Sequence, residues 1–148
     1  MTNVIKKKIL IIKANFYPKI TNLLIEGAID KLNSSDYKYE IVEVMGIFEI
    51  PAAIAFASAT NCYAGYIALG CAIRGETSHY DYVCVESARG LNDLAMNKML
   101  AIGYGIVTAE NEEQALVRAD KDRKDKGGFA ALACITMIDL KEKFSNKL

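Results

Sequence analysis

Two hydrophobic rhythms alternate along the whole chain: short continuous apolar runs, and longer stretches with apolar residues at helical spacing. Ile9-Leu-Ile-Ile-Lys13 is brief, β-branched and apolar, the pattern of a strand covered on both faces. After Pro18, the positions of Ile20, Leu23, Leu24, Ala28 and Leu32 predict a helix, which Asn33-Ser-Ser-Asp36 ends. Tyr39 to Met45 reads as a second strand, and Pro51 as the first turn of an alanine-rich helix running to about Asn61. Tyr66 to Cys71 predicts a third strand. Tyr80, Val83, Cys84, Ala88, Leu91, Leu94 and Ala95 then trace one face of a helix. Leu100 to Val107 reads as a fourth strand, with Thr108 as N-cap of a short helix ending near Ala119 and helped by Glu110 and Glu112 near its start. A last helix begins after Gly127-Gly128, with Phe129, Leu132, Ala133, Thr136, Met137, Leu140 and Phe144 as its buried face.

Repeated βα alternation predicts an α/β three-layer sandwich: a four-stranded parallel sheet, flavodoxin-like, with helices on both faces and right-handed connections. No linker, repeat or low-complexity tract interrupts it, so residues 1–148 are read as one domain. Four strands make a narrow sheet, whose edges call for cover from partner chains.

Composition narrows the function. Lys plus Arg equals Asp plus Glu at 18 each, which removes the basic footprint of a nucleic-acid binder. The alternating run Asp120 to Lys126 reads as a solvated loop. Hydrophobic residues reach 52%, above the usual value of about 45–50%, which suggests surface buried against further copies. The polar, basic stretch from Thr2 to Lys8 is followed by too short an apolar run for a secretion signal, and no run approaches the ~20 apolar residues of a membrane helix. Cys62, Cys71, Cys84 and Cys134 lack metal-ligand spacing and sit in apolar or helical patterns, as structural thiols of a reducing cytoplasm do.

Chemistry is concentrated at the predicted strand ends, where open α/β sheets bind ligands. The first strand runs into Phe16-Tyr17; Phe16 is either core or a platform for a flat heterocycle. The second runs into Gly46-Ile-Phe-Glu-Ile-Pro51, where Glu49 either favours a helix dipole or accepts ligand hydrogen bonds. The third runs into Arg74-Gly-Glu-Thr-Ser-His79, ahead of a helix N-terminus whose amides can hold a phosphate; a plain capping role for Thr77 or Ser78 is the competing account. His79 is the only histidine, the side chain able to give and take protons near neutrality, although a lone histidine also serves as a surface or core-capping residue. Gly103-Tyr-Gly105 matches only half of a dinucleotide fingerprint, because Thr108 stands where its third glycine belongs.

Taken together, Gly46-Ile-Phe-Glu-Ile-Pro51, Gly70-Cys-Ala-Ile-Arg-Gly-Glu-Thr-Ser-His-Tyr-Asp81 and Gly105-Ile-Val-Thr-Ala-Glu-Asn-Glu-Glu-Gln-Ala115 closely resemble the lumazine synthase family. Arg118-Ala119 and Lys126-Gly127 follow at the family's spacing, and the resemblance spans residues 8 to 140. It implies condensation of 5-amino-6-(D-ribitylamino)uracil with 3,4-dihydroxy-2-butanone 4-phosphate to 6,7-dimethyl-8-ribityllumazine, with phosphate and water released and no cofactor or metal. By the same resemblance Phe16 stacks on the pyrimidine; Ile47, Phe48 and Glu49 line the ring and ribityl side; and Cys71, Ala72 and Ile73 offer backbone bonds. Glu76 and Thr77 hold the butanone phosphate, Arg118 caps it, His79 shuttles protons, and Tyr104 reaches the pyrimidine of a neighbouring subunit. His79 and Arg118 are thus expected to face one phosphorylated fragment. Tyr17 and Met45 depart from the family, which usually has Asn and Pro there. The resemblance further implies pentamers or larger shells and admits riboflavin synthase as a partner, with no nucleic acid or membrane. Two rival readings are a non-catalytic shell former and a flavin-binding module of the same architecture.

Overall fold

The computed structural model describes residues 8–148. Most of the polar, basic segment read above from Thr2 onward therefore lies outside the described residues. Strand β1 (Lys8–Ala14) leads into helix α1 (Pro18–Asn33), and β2 (Lys38–Val44) into a 3₁₀ turn (Ile47–Glu49) and α2 (Ile50–Ser58). Then follow β3 (Gly65–Ile73), α3 (His79–Asn97), β4 (Ile102–Ala109), α4 (Glu112–Ala119) and α5 (Lys126–Ser145). The strands form one sheet in the order β2-β1-β3-β4, and every pairing is parallel.

Helices cover both faces. Ile9, Ile11, Ile67, Leu69 and Val107 pack against α1, α4 and α5, while Leu10, Ile12, Tyr66, Ala68 and Ile106 pack against α2 and α3. Alternate residues of each strand thus serve opposite layers, as the two-residue period of a strand requires. Residues 65–70 of β3 are all buried, matching the continuous apolar run in the sequence.

Several predicted boundaries move. Strand β4 extends through Thr108, so Thr108 is not the cap of α4. Asn111 holds that position in extended conformation, its Oδ1 accepting the Gln114 N–H at 2.9 Å. Gln114 answers by accepting the Glu110 N–H at 2.9 Å. Helix α5 starts before its glycines rather than after them, capped by the Asp125 carboxylate on the Gly128 N–H at 3.0 Å. Cys62 lies exposed beyond α2 instead of inside a pattern, and all four cysteines are free.

The expected face of α5 is reversed. Gly127, Gly128, Ala130, Ala131, Cys134 and Ile138 are buried, while Phe129, Leu132, Met137, Leu140 and Phe144 are exposed, along with Ala133 and Thr136. Close backbone approach selects the small side. A Cβ on Gly103 of β4 would stand 1.9 Å from the Ala130 carbonyl oxygen, and one on Gly127 would stand 1.9 Å from that of Leu24. Only a stripe of small residues lets α5 sit so near β4 and α1. Gly103→Ala is accordingly expected to force α5 outward and lower the thermal midpoint by roughly 5–10 °C. Calorimetry checks this, and an unchanged midpoint would show that the layer yields.

Candidate functional site

Strand lengths open the site. Strand β3 pairs with β4 as far as Ile73↔Ala109, but with β1 only as far as Leu69↔Lys13. Beyond Leu69 its backbone therefore has no strand neighbour on the β1 side. This gap lies where the order reverses between β1 and β3, the switch point at which open sheets receive ligands. A cleft of about 830 Å³ occupies it.

Four segments wall the cleft. Phe16 and Tyr17 come from the end of β1, their rings edge to face at 4.9 Å. Thr21 of α1 is fully buried and donates its hydroxyl to the Ala14 carbonyl at 2.8 Å, while Asn15 N–H bonds Val44 O at 2.9 Å; both fix the chain entering Phe16. Phe16 itself is 70% exposed, so its ring is free to stack and is no part of the core. The 3₁₀ turn supplies Ile47, Phe48 and Glu49: Ile47 is buried under the turn, Phe48 is exposed, and Glu49 accepts the Gly46 N–H at 3.2 Å through one oxygen. Its other oxygen remains available.

Cys71, Ala72 and Ile73 present the unpaired edge of β3. Burial pushes the Cys71 thiol up to about 12, with Cys84 adding to the shift. At neutral pH it is a protonated packing group and not a nucleophile.

Gly75, Thr77 and His79 form the last wall with the start of α3. The helix begins at His79. Thr77 Oγ1 accepts the His79 N–H at 3.3 Å, so the local capping role is partly real, yet its hydroxyl proton stays free to donate. No protein acceptor among the described residues serves the amides of Gly75, Glu76, Thr77 and Ser78. Unpaired amides at a helix N-terminus suit an anion. The His79 imidazole is exposed to the opening. Among the described residues no cluster of histidine, cysteine or carboxylate side chains could hold a metal ion.

Three expected site residues stand apart. The Glu76 side chain is exposed and does not line the cleft. Tyr104 sits on β4, beside Tyr80 and Cys84, outside the cleft. Arg118 lies nearly two turns into α4, donating to its own Gln114 carbonyl at 3.1 Å. Helix α4 packs on one face of the sheet and α3 on the other, and within a single chain Arg118 does not line the cleft that His79 lines. Sequence reasoning gave no site role to Tyr17, Tyr80, Tyr82 and Val83, which also line the cleft.

Comparison with known proteins identifies the family. Residues 6–142 match the family described as 6,7-dimethyl-8-ribityllumazine synthase. The chain is 51% identical over 142 residues to the 6,7-dimethyl-8-ribityllumazine synthase of Bartonella tribocorum, covering 95% of this chain and 94% of that protein. It is 50% identical over 138 residues to the enzyme of that name from Zymomonas mobilis, covering 93% and 99%. With the one of Agrobacterium fabrum it shares 50% over 143 residues, covering 93% and 97%. A family match over residues 6–142, with relatives 50–51% identical across more than nine-tenths of both chains, shows that this chain belongs to the 6,7-dimethyl-8-ribityllumazine synthase family.

Proposed function

We propose that this protein condenses 5-amino-6-(D-ribitylamino)uracil with 3,4-dihydroxy-2-butanone 4-phosphate, forming 6,7-dimethyl-8-ribityllumazine and releasing phosphate and water, the penultimate step of riboflavin biosynthesis. The convergence of Phe16, the free edge of β3 and the amides before His79 on one cleft carries this reading.

A uracil ring is flat and edged with donors and acceptors. Phe16 offers its face, and the backbone of Cys71 to Ile73 offers groups like those of a missing strand. Ribityl hydroxyls donate to the unengaged oxygen of Glu49. The butanone phosphate sits on the amides of Glu76 and Thr77 with the Thr77 hydroxyl, which leaves the Glu76 carboxylate pointing away from the anion.

His79 then stands between the two substrates. Amine attack on the ketone gives a carbinolamine, whose hydroxyl leaves as water once protonated. Elimination of phosphate next requires a proton taken from carbon, and the ribityl-bearing nitrogen then attacks the carbonyl left behind, closing the ring with loss of a second water. One imidazole performs both transfers in turn. Holding both substrates in register supplies the larger share of the acceleration, since effective molarities reach about 10⁵ M and above.

Arg118 and Tyr104 enter this scheme from a neighbouring copy. The outer face of α5 carries Phe129, Met137 and Phe144, and the layer opposite exposes Phe56, Tyr82, Val85 and Met96. Two different apolar faces make a head-to-tail contact that closes into a ring, and the family resemblance supports five copies or a multiple. The exposed edge of β2, where Ile41 and Val42 are half-open, is covered in the same assembly. Four free thiols fit a cytoplasmic location.

Mixing pure protein with both substrates tests the reaction. The expected result is the fluorescence of the lumazine rising in step with released phosphate. Binding of flavin with no phosphate release would favour the non-catalytic reading instead. Sedimentation should give a ring or multiple rings, and a monomer at micromolar concentration would overturn the shared site.

A further inference from the structure

We propose that Arg74 is a positioning residue for this reaction: its guanidinium ties the β3–α3 turn to the end of β4 and so holds Thr77 and His79 against the cleft. The inference rests on the reading of the cleft given above.

The turn has little else to hold it. Residues 74–79 are all exposed, and a Cβ placed on Gly75 would meet nothing within 4 Å. Its backbone is anchored at entry by Arg74 N–H on Ala109 O at 3.0 Å and at exit by Asp81 N–H on Ser78 O at 3.0 Å. Between those points the turn is held, among the described residues, by the His79 N–H on Thr77 Oγ1.

The Arg74 side chain spans that interval. Its Nε lies 2.9 Å and 3.2 Å from the two carboxylate oxygens of Glu110, just beyond β4. Its terminal nitrogens lie 3.3 Å and 3.2 Å from the two oxygens of Asp81, in the first turn of α3. Its Cζ stands 4.4 Å above the ring of Tyr80. One planar group therefore grips the residues one and two places after His79 and joins them to the sheet. A lysine ammonium, a point charge on a flexible stem, cannot engage both carboxylates in plane and stack as well.

The Arg74 side chain is 39% exposed, so the network adds little to global stability and its effect falls on local geometry. Geometry matters here because a displacement of about 1 Å at a reacting group costs roughly 10²-fold in rate.

Arg74→Ala and Arg74→Lys, studied by hydrogen exchange and steady-state kinetics, test the proposal. In Arg74→Ala the amides of Asp81 and Tyr82, which both donate to Ser78 O, are expected to exchange roughly tenfold faster, with exchange in the core strands unchanged. The kcat should fall about 10- to 100-fold with the KM for the ribitylaminouracil unchanged, since Phe16, the 3₁₀ turn and β3 stay in place. Lysine should restore only part of the loss. In a His79→Ala background the same substitution should cost little more, because its effect passes through the imidazole. Unchanged exchange at Asp81 and Tyr82, or losses that multiply in the double variant, would overturn the proposal. Should Arg74→Ala fail to fold, Asp81→Asn and Glu110→Gln each remove one carboxylate and are held to the same outcomes. Wild-type protein that forms no lumazine would sink the reading of the cleft, while the exchange result would still decide whether Arg74 tethers the turn.

Discussion

Replacing His79 with alanine is expected to lower kcat by about 10²- to 10⁴-fold, without abolishing turnover and without lowering thermal stability. The imidazole is exposed at the first residue of α3 and packs into neither core cluster, so its removal leaves no cavity. Binding should survive as well, because the groups assigned to hold the pyrimidine and the phosphate are other side chains or main-chain amides. What disappears is the proton carrier for carbinolamine dehydration and for phosphate elimination. Water reaches the open cleft and replaces the carrier poorly, hence slow turnover rather than none. Single-turnover kinetics with calorimetry on the same sample decides the matter. A folded variant with no detectable product would mean that His79 does more than shuttle protons; an unaffected kcat would remove it from the chemistry.

The second large effect concerns Arg118. Arg118→Ala is expected to raise the KM for the butanone phosphate by about 10- to 100-fold, the loss of a charge-assisted contact to a phosphate, with a smaller change in kcat. Since Arg118 and His79 lie on opposite layers of one chain, the two variants should also rescue each other. Arg118→Ala chains contribute an intact cleft and His79→Ala chains an intact arginine. After dissociation and random reassembly, about one contact in four joins the two intact halves, and activity should return toward a quarter of the wild-type value. With butanone phosphate held near the wild-type KM, neither variant alone reaches that level. Failure of complementation in properly reassembled rings would place Arg118 outside the site altogether.

Local residue patterns carried much of this protein. The continuous apolar runs at Ile9 and Tyr66 identified buried parallel strands, because a strand covered on both faces has no polar side to alternate. Pro18 and Pro51 marked helix starts through their fixed backbone angle and missing donor. Phe16, the Gly46 to Pro51 segment and the Arg74 to Asp81 segment were legible as strand-end chemistry, and all three border one cleft. Where the reading slipped, local signals competed: Thr108 and Asn111 can both cap a helix, and the longer β4 decided for Asn111.

Three-dimensional packing decided the rest. Large side chains usually lie inside, which points the apolar face of α5 at the core. The backbone of β4 and α1 approaches too closely for that, so glycine and alanine face inward and the large residues remain on the surface. The length of β3 beyond β1 is a register, and the bridge from Arg74 to Glu110 and Asp81 is a long-range contact; neither has a signature along the chain. The separation of Arg118 from His79 follows from which side of the sheet each helix crosses. Sequence alone determined most of the elements, the candidate reacting groups and the family, since those depend on residue type and short-range spacing. Only the fold decided which groups share a space, because proximity depends on layer, register and backbone distance.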